Sequence, residues 1–448
     1  MKPSEVEQIE IDMTTTIDTA TDLRDRRRDI LGCALVGCLG ITILNALTLR
    51  YGIYYSDNIL TLYPVAVQSL SESFKIFVRP IEYLIILAAN NVYLPLWLGV
   101  PLFCTVGATI LSALACELVF ERQLPRTEWW VLGLANPLLF YTVSQPIISQ
   151  AVANLLFAGG LFAFALELRW LWGRSPSGQR ADGASVLLNV IAAALFFTKE
   201  TAVAGAVILP SASALIRLRT RRLSPMYLLS LLLPIGAACG WILLKLKYPN
   251  LIPTEAGRYG LRLNPGVWGE NLIMTLAFPV TPLPSSFISF EVLRPVWVVV
   301  ALGSVALFVR MILRDSLRRP RVIFPLVIVG ASCAPMILVR VSELYPSMIT
   351  PFAVSSALLL GFSEMRRLGL IYGVLLYAAS LGNGIIYSLG GDYNPLGLKR
   401  LQYSIYTKEY QFYPICPIGT TAHVGWDPTI ASDVLYVPGV KGAITCAR

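Results

Sequence analysis

The sequence predicts an all-α polytopic membrane protein with about eleven transmembrane helices, and three observations lead to that prediction. Of the 448 residues, 55% are hydrophobic and only 14% are charged. The apolar residues are grouped in runs long enough to cross a hydrocarbon core of about 30 Å. Basic clusters occupy alternate connections between these runs, which is the pattern of a chain whose arginines stay on the cytoplasmic side.

The apolar runs follow one another from residue 30 to residue 388. Those predicted to span are 30–49, 96–120, 129–144, 151–171, 185–198, 201–216, 226–244, 293–313, 322–339, 346–363 and 369–388. The core of a soluble protein does not require so many apolar runs of this length. We therefore expect a transmembrane domain over residues 26–388.

Arginine placement sets the orientation of these spans. The six basic connections carry Arg24–Arg28, Arg122 with Arg126, Arg169–Arg180, Arg217–Arg222, Arg314–Arg321 and Arg366–Arg367. By the positive-inside rule they face the cytoplasm, which places the N-terminus inside and the C-terminus outside. The net charge of +9 reflects this topology signal. No basic stripe interleaved with aromatic residues indicates a nucleic-acid partner.

The two ends of the chain differ in composition. Residues 1–25 are polar and predict a disordered cytoplasmic tail. Residues 389–448 are rich in Tyr, Pro and Gly and predict a small extracytoplasmic cap. Cys416 and Cys446 are the two cysteines outside the membrane by this topology, where an oxidising compartment permits a disulfide. We predict that they form one.

Two long external connections, 50–95 and 245–292, indicate that the chemistry lies on the extracytoplasmic face, because long connections commonly carry function. Within the first, residues 57–76 place apolar side chains at helical spacing and predict a helix lying in the membrane interface. Pro80 then begins a second short apolar helix that continues to about Val92.

Five short motifs lie in or between these segments. They are Tyr54-Tyr55-Ser56-Asp57-Asn58, Arg79-Pro80-Ile81-Glu82-Tyr83-Leu84, Asn136-Pro137-Leu138, Thr198-Lys199-Glu200-Thr201-Ala202-Val203 and Arg340-Val341-Ser342-Glu343-Leu344-Tyr345-Pro346-Ser347. In the order, the spacing and the membrane side of these motifs, the chain resembles the GT-C superfamily of membrane glycosyltransferases. The nearest likeness is to the protein O-mannosyltransferase and related bacterial branches. The likeness covers roughly residues 26–363 and not the tail.

The resemblance implies a GT-C-like bundle that transfers a sugar from a polyprenyl-phosphate carrier to a hydroxyl of a glycan, lipid or protein acceptor, with inversion at the sugar. It also implies an integral protein of the bacterial inner (plasma) membrane with an active site on the extracytoplasmic side. Such a transfer requires a base for the acceptor proton and cations for the carrier phosphate.

Asp57 is the candidate general base, and the alternative is that it caps the helix that follows it. Arg340 is the candidate ligand of the carrier phosphate, because its guanidinium offers a fork of donors. Lys199 and Arg79 are further phosphate-binding candidates. Lys199 with Glu200 also fits a hairpin tip that reaches water.

Acidic and aromatic neighbours are predicted to support the site. They are Glu82, Glu200, Glu343 and Tyr345. Arg340 with Glu343 also suits a local ion pair at helical spacing, and Arg79 with Glu82 suits a gating or structural pair equally well.

No cofactor is predicted, since the chain has no nucleotide-binding glycine motif and no Cys-x-x-Cys or histidine pair for a metal. Asn58 follows Asp57 where relatives often carry a second acid, and a divalent metal remains an open alternative. Two rival functions also remain: a lipid-linked oligosaccharide transporter or flippase, and a polysaccharide polymerase or ligase.

Overall fold

A computed structural model defines the architecture over part of the chain. The residues it describes are 25–43, 79–81, 84, 94–139, 148–172, 177–199, 202–247, 320–338, 421–425, 434–436 and 443–447, with isolated positions between 264 and 313 and between 354 and 371. Every structural statement below refers to these residues.

Most of the described chain is helical. The helices are α1 (25–43), α2 (Leu94–Phe120), α3 (Arg126–Leu139), α4 (Ile148–Trp172), α5 (Gly178–Phe196), α6 (Val203–Thr220), α7 (Pro225–Ser230), α8 (Leu232–Lys247) and α9 (Pro320–Leu338). Pro80, Ile81 and Leu84 are helical as well, in agreement with a short helix that begins at Pro80.

Four helical segments of the described chain are long and apolar enough to cross a membrane. They are Gly99–Phe120, Gln150–Trp172, Val203–Thr220 and Pro225–Lys247, and Pro320–Ser332 is a shorter apolar segment. The four match the predicted spans 96–120, 151–171, 201–216 and 226–244 to within a few residues. The predicted spans 293–313, 346–363 and 369–388 include only isolated described positions, so the count of eleven stays a prediction.

Small residues let the central helices approach closely. A Cβ added at Gly160 of α4 would lie 2.7 Å from Leu209 Cδ1 of α6, and one added at Gly107 of α2 would lie 2.9 Å from Leu155 Cδ1 of α4. In this way α4 packs between α2 and α5, while α5 packs against α6 and α8, and α9 packs on α6. Packing through small residues is the usual way for helices to associate in lipid.

Hydrogen bonds between polar side chains also join neighbouring helices. Thr109 Oγ1 donates to Asn136 Oδ1 at 2.9 Å, which ties α2 to α3. Asn189 Nδ2 donates to Ser230 Oγ at 2.7 Å, which ties α5 to α7. Asn189 and Asn136 of the Asn-Pro-Leu motif thus both serve inter-helix hydrogen bonding.

The arginine-bearing helix ends meet at one end of the bundle, here called the inner end. Arg26 of α1 pairs with Glu117 of α2, and Arg126 Nε lies 3.2 Å from Asp29 Oδ1. Arg321 at the start of α9 donates to the carbonyl of Phe120, at the end of α2, over 3.4 Å. The opposite end, where α5 ends and α6 begins, is called the outer end.

The C-terminal tail contains a small antiparallel sheet. Its strands are β1 (Thr421–Gly425), β2 (Val434–Tyr436) and β3 (Ala443–Ala447), in the order β1-β3-β2. An all-α description thus fits the described helices up to residue 338, whereas the tail adds these strands. Cys446 lies on β3 opposite Ala422. Cys416 lies outside the described residues, so the disulfide stays a prediction.

Candidate functional site

Two of the predicted site residues, Arg79 and Lys199, are described by the structure. Both are half-buried. Asp57, Glu82, Glu200, Arg340, Glu343 and Tyr345 lie outside the described residues. The geometry of the candidate site is therefore built from the two cations and from the elements that hold them.

Lys199 occupies a tight turn between α5 and α6. Helix α5 ends at Phe196, and Thr198, which is 2% exposed, donates its hydroxyl to the carbonyl of Leu195 at 2.8 Å. The Ala202 N–H donates to the carbonyl of Lys199 at 2.8 Å, just before α6 begins at Val203. These bonds satisfy backbone groups that a helix end leaves without partners. The predicted division of the 185–216 stretch at Lys199 is confirmed.

The short segment 79–81, part of the connection 50–95 that is predicted to be external, contacts this turn directly. The Ile81 N–H donates to the carbonyl of Phe197 at 3.1 Å. Arg79 stands two residues before the donor of this bond, and Lys199 stands two residues after its acceptor. Because consecutive Cα atoms are about 3.8 Å apart, the bond places the backbones of Arg79 and Lys199 in the same region of the outer end.

Aromatic packing holds the start of this turn against α8. The rings of Phe196 and Trp241 have their centroids 6.5 Å apart, and a Cβ added at Gly240 would lie 3.7 Å from Phe197 Cζ. Both contacts fix the end of α5 against α8. The carbonyl that receives the Ile81 N–H is thus attached to the packed bundle.

The inner end contains a buried polar network that the sequence analysis did not identify. Its members, called the inner-end cluster, are Glu167, Asp182, Ser185, Asn189, Ser213, Arg217, Tyr227 and Ser230. They come from α4, α5, α6 and α7, so the cluster joins four helices.

Arg217 is the centre of this cluster. Its side chain is 1% exposed, and it donates from Nε to Glu167 Oε1 and from Nη1 to Asp182 Oδ1, both at 2.5 Å. Its Cζ lies 4.5 Å from the centre of the Tyr227 ring. The sequence analysis placed Arg217 in the connection after the predicted span 201–216; that boundary was wrong, because α6 continues to Thr220 and Arg217 bonds two carboxylates from within the helix. A carboxylate inside the apolar run 151–171, Glu167, was the signal that could have indicated the network.

Glu167 receives hydrogen bonds on a single oxygen. Ser185 Oγ at 2.5 Å, Ser213 Oγ at 2.9 Å and Arg217 Nε all donate to Oε1. Ser185 Oγ also accepts from Arg217 Nη2 at 2.8 Å. The cluster is thus a chain of charge-assisted hydrogen bonds, which are stronger than those between neutral groups.

No three His, Cys, Asp or Glu side chains in the described ranges lie close enough together to hold a metal ion. The oxygen-rich inner-end cluster contains only two carboxylates, and its other oxygens are neutral. A divalent or transition metal bound by several such ligands therefore has no support in this part of the chain.

Comparisons with known proteins add no assignment to this geometry. No protein family, curated protein or solved structure matches the chain.

Proposed function

We propose that the chain is a membrane glycosyltransferase that moves a sugar from a polyprenyl-phosphate carrier to an acceptor hydroxyl at the outer end of the bundle. One observation carries the proposal: the 3.1 Å hydrogen bond from the Ile81 N–H to the Phe197 carbonyl. This bond brings the segment containing Arg79 beside the turn containing Lys199. Both cations had been selected from sequence as phosphate ligands.

The chemistry of the donor favours such a pair. As the glycosyl bond breaks, negative charge accumulates on the departing lipid phosphate, and fixed cations stabilise it. Arginine offers a planar fork to two phosphate oxygens, whereas lysine supplies a compact charge with rotatable donors. Arg79 and Lys199 are half-buried, and partial exclusion of water strengthens the attraction between them and a phosphate.

The direction of two helices supports a role for Asp57 and Arg340 at the same end. Helix α9 begins at the inner end, where Arg321 contacts Phe120, and its 19 residues extend for about 28 Å. Arg340 follows the last residue of α9, Leu338, by two positions. Helix α1 likewise begins at the inner end and leads toward the outer end, and Asp57 lies fourteen positions after its last described residue.

In the proposed reaction Asp57 accepts the proton of the acceptor hydroxyl as its oxygen attacks the anomeric carbon. The bond from that carbon to the phosphate oxygen breaks, and its electron pair leaves with the carrier phosphate. Arg340, Lys199 and Arg79 stabilise the phosphate, while Glu82, Glu200, Glu343 and Tyr345 orient these side chains. The configuration at the sugar inverts.

The test is transfer activity of the full chain reconstituted in vesicles, using a panel of polyprenyl-phosphate-linked sugars. We expect Asp57→Asn to keep donor binding and to lower turnover by about 10²–10⁴-fold, the range for loss of a general base. Arg340→Ala should weaken donor binding and turnover together, because its charge meets phosphate before and during bond cleavage.

Asp25→Asn is the matched control, since Asp25 is an exposed acid at the inner end, and its activity should equal that of the wild type. Normal turnover by Asp57→Asn would reject the assignment. Movement of the lipid-linked sugar across the bilayer without transfer would favour a flippase, and processive chain growth would favour a polymerase.

A further inference from the structure

Three buried polar atoms of the inner-end cluster have no hydrogen-bond partner within the described part of the chain. They are Glu167 Oε2, Asn189 Oδ1 and Tyr227 Oη. Each of the three residues is 0% exposed. A buried polar atom without a partner costs about 1–3 kcal/mol, so three of them in one cluster require an explanation.

Hydrogen bonds connect the three residues. Ser185, which donates to Glu167, and Asn189 are one helical turn apart on α5 and therefore share a face. Asn189 donates to Ser230 Oγ, which in turn donates to the Tyr227 carbonyl at 2.7 Å. The Tyr227 ring contacts Arg217, and Arg217 donates to Glu167. The three residues that carry the unpartnered atoms are thus linked by one set of contacts.

The charges of this region do not balance. Glu167 and Asp182 contribute two negative charges and Arg217 one positive charge, which leaves a net charge of −1. Of the neighbouring basic residues, Arg180 stacks on the Trp170 ring at 4.7 Å, and Arg222, whose carbonyl accepts from Arg217 Nη1 at 3.1 Å, is exposed. An unbalanced charge inside a helical bundle is costly, and a bound cation removes both the charge imbalance and the need for a donor at Glu167 Oε2.

The chain is interrupted between α7 and α8, next to this region. Pro234 has no N–H and cannot donate to the carbonyl of Ser230, four residues earlier. Helix α7 ends at that same Ser230, the partner of Asn189. Backbone carbonyls at interrupted membrane helices are common ligands of monovalent cations.

We propose that the inner-end cluster binds one monovalent inorganic cation, Na⁺ or K⁺, through Glu167 Oε2, Asn189 Oδ1 and Tyr227 Oη. All three ligands are hard oxygen atoms, and only one of them is charged, which suits a singly charged ion better than Ca²⁺ or Mg²⁺. The ion would stabilise the contacts among α4, α5 and α7. This site lies at the inner end and is independent of the reaction proposed for the outer end.

Thermal unfolding of the purified full chain in detergent or nanodiscs tests the site. The probes are NaCl, KCl and choline chloride at matched ionic strength. We expect the unfolding midpoint to rise by about 1–2 °C for each tenfold increase in Na⁺ or K⁺ above the dissociation constant, and choline to have no such effect.

Asn189→Leu and Tyr227→Phe should each abolish the cation-dependent shift, and they keep the test available if Glu167→Gln fails to fold. Ser112→Ala is the matched control, because Ser112 Oγ is also buried and unpartnered within the described chain but lies on α2, outside the cluster. Its cation-dependent shift should equal that of the wild type. Equal midpoints in all three salts, or a full shift in both Asn189→Leu and Tyr227→Phe, would overturn the proposal. Buried water would then be the partner of these atoms.

Discussion

The two ends of the helical bundle hold their charged side chains in different ways. At the inner end Arg217 is 1% exposed and bonds two carboxylates from two helices. At the outer end Arg79 and Lys199 are half-buried, and the contact between their segments is a backbone hydrogen bond supported by aromatic packing.

The difference separates two uses of charge in a membrane bundle. A guanidinium that already bonds two carboxylates serves to join helices and has little capacity left for a substrate. Arg79 and Lys199 are only half-buried, and the contact recorded between their segments is a backbone hydrogen bond. The buried network thus contributes to stability at the inner end, whereas the proposed function puts the chemistry at the outer end, and the predictions below test that division.

The largest expected effect is at the inner end. Arg217→Ala removes the cation from between Glu167 and Asp182 and leaves one buried and one partly buried carboxylate without it. We expect a loss of about 3–5 kcal/mol of stability, the range for breaking a buried ion pair by removing one partner. The measurement is the free energy of unfolding, or the yield of monodisperse protein in mild detergent.

Arg219→Ala is the control for Arg217, because Arg219 lies in the same last turn of α6 but is exposed. Its stability should change by less than about 0.5 kcal/mol. If the two variants unfolded alike, the buried network would not be what stabilises the inner end.

A smaller effect is expected where α4 meets α6. Gly160→Ala would bring a methyl group to 2.7 Å from Leu209 Cδ1; overpacking of this kind costs about 1–3 kcal/mol, which exceeds the gain of up to about 1 kcal/mol in helix propensity. Gly183→Ala on α5 meets no atom within 4 Å and should instead stabilise that helix by about 0.5–1 kcal/mol. Unfolding midpoints of the two variants should therefore move in opposite directions, and a shift in the same direction would contradict the described packing.

The smallest effect concerns the outer turn. Thr198→Val replaces the hydroxyl that donates to the Leu195 carbonyl with a methyl group of similar size. We expect a loss of about 0.5–1.5 kcal/mol in the free energy of unfolding. Thr198→Ser keeps the hydroxyl and should retain most of that stability. If the serine variant lost as much as the valine variant, this hydrogen bond would not be what secures the turn.

Run length predicted the long helices well, because a membrane span must be both apolar and about twenty residues long. The predicted span 96–120 and the observed helix Leu94–Phe120 differ by two residues at one end. Composition also indicated the turn at Lys199, since two charged residues interrupt an apolar stretch there.

The inner-end cluster could not be assembled from the sequence. Glu167, Asp182 and Arg217 are separated by 15 and 35 positions, and their meeting depends on how α4, α5 and α6 rotate against one another. The positive-inside rule treated Arg217 as one member of a basic block and gave no information about its face of the helix. The strands of the tail were also not predicted, because the tail was interpreted from composition alone.

For the outer end the sequence offered candidate residues but no geometry. Arg79 and Lys199 were both selected as phosphate ligands, yet nothing in the sequence indicated that the first external connection contacts the α5–α6 turn. That contact is one backbone hydrogen bond, between Ile81 and Phe197. A backbone hydrogen bond does not require particular side chains, so the sequence gives no sign of it.

The most direct test of the division between the two ends is a double-mutant cycle on Arg79 and Lys199. The measured quantity is kcat/KM for the lipid-linked donor in Arg79→Ala, Lys199→Ala and the double variant. Lys247→Ala serves as a control, because Lys247 is an exposed cation at the far end of α8 and should leave kcat/KM unchanged. If both cations act on one phosphate, their effects should be non-additive by more than about 0.5 kcal/mol. Additive effects, or wild-type activity in the double variant, would contradict the assignment of the chemistry to the outer end.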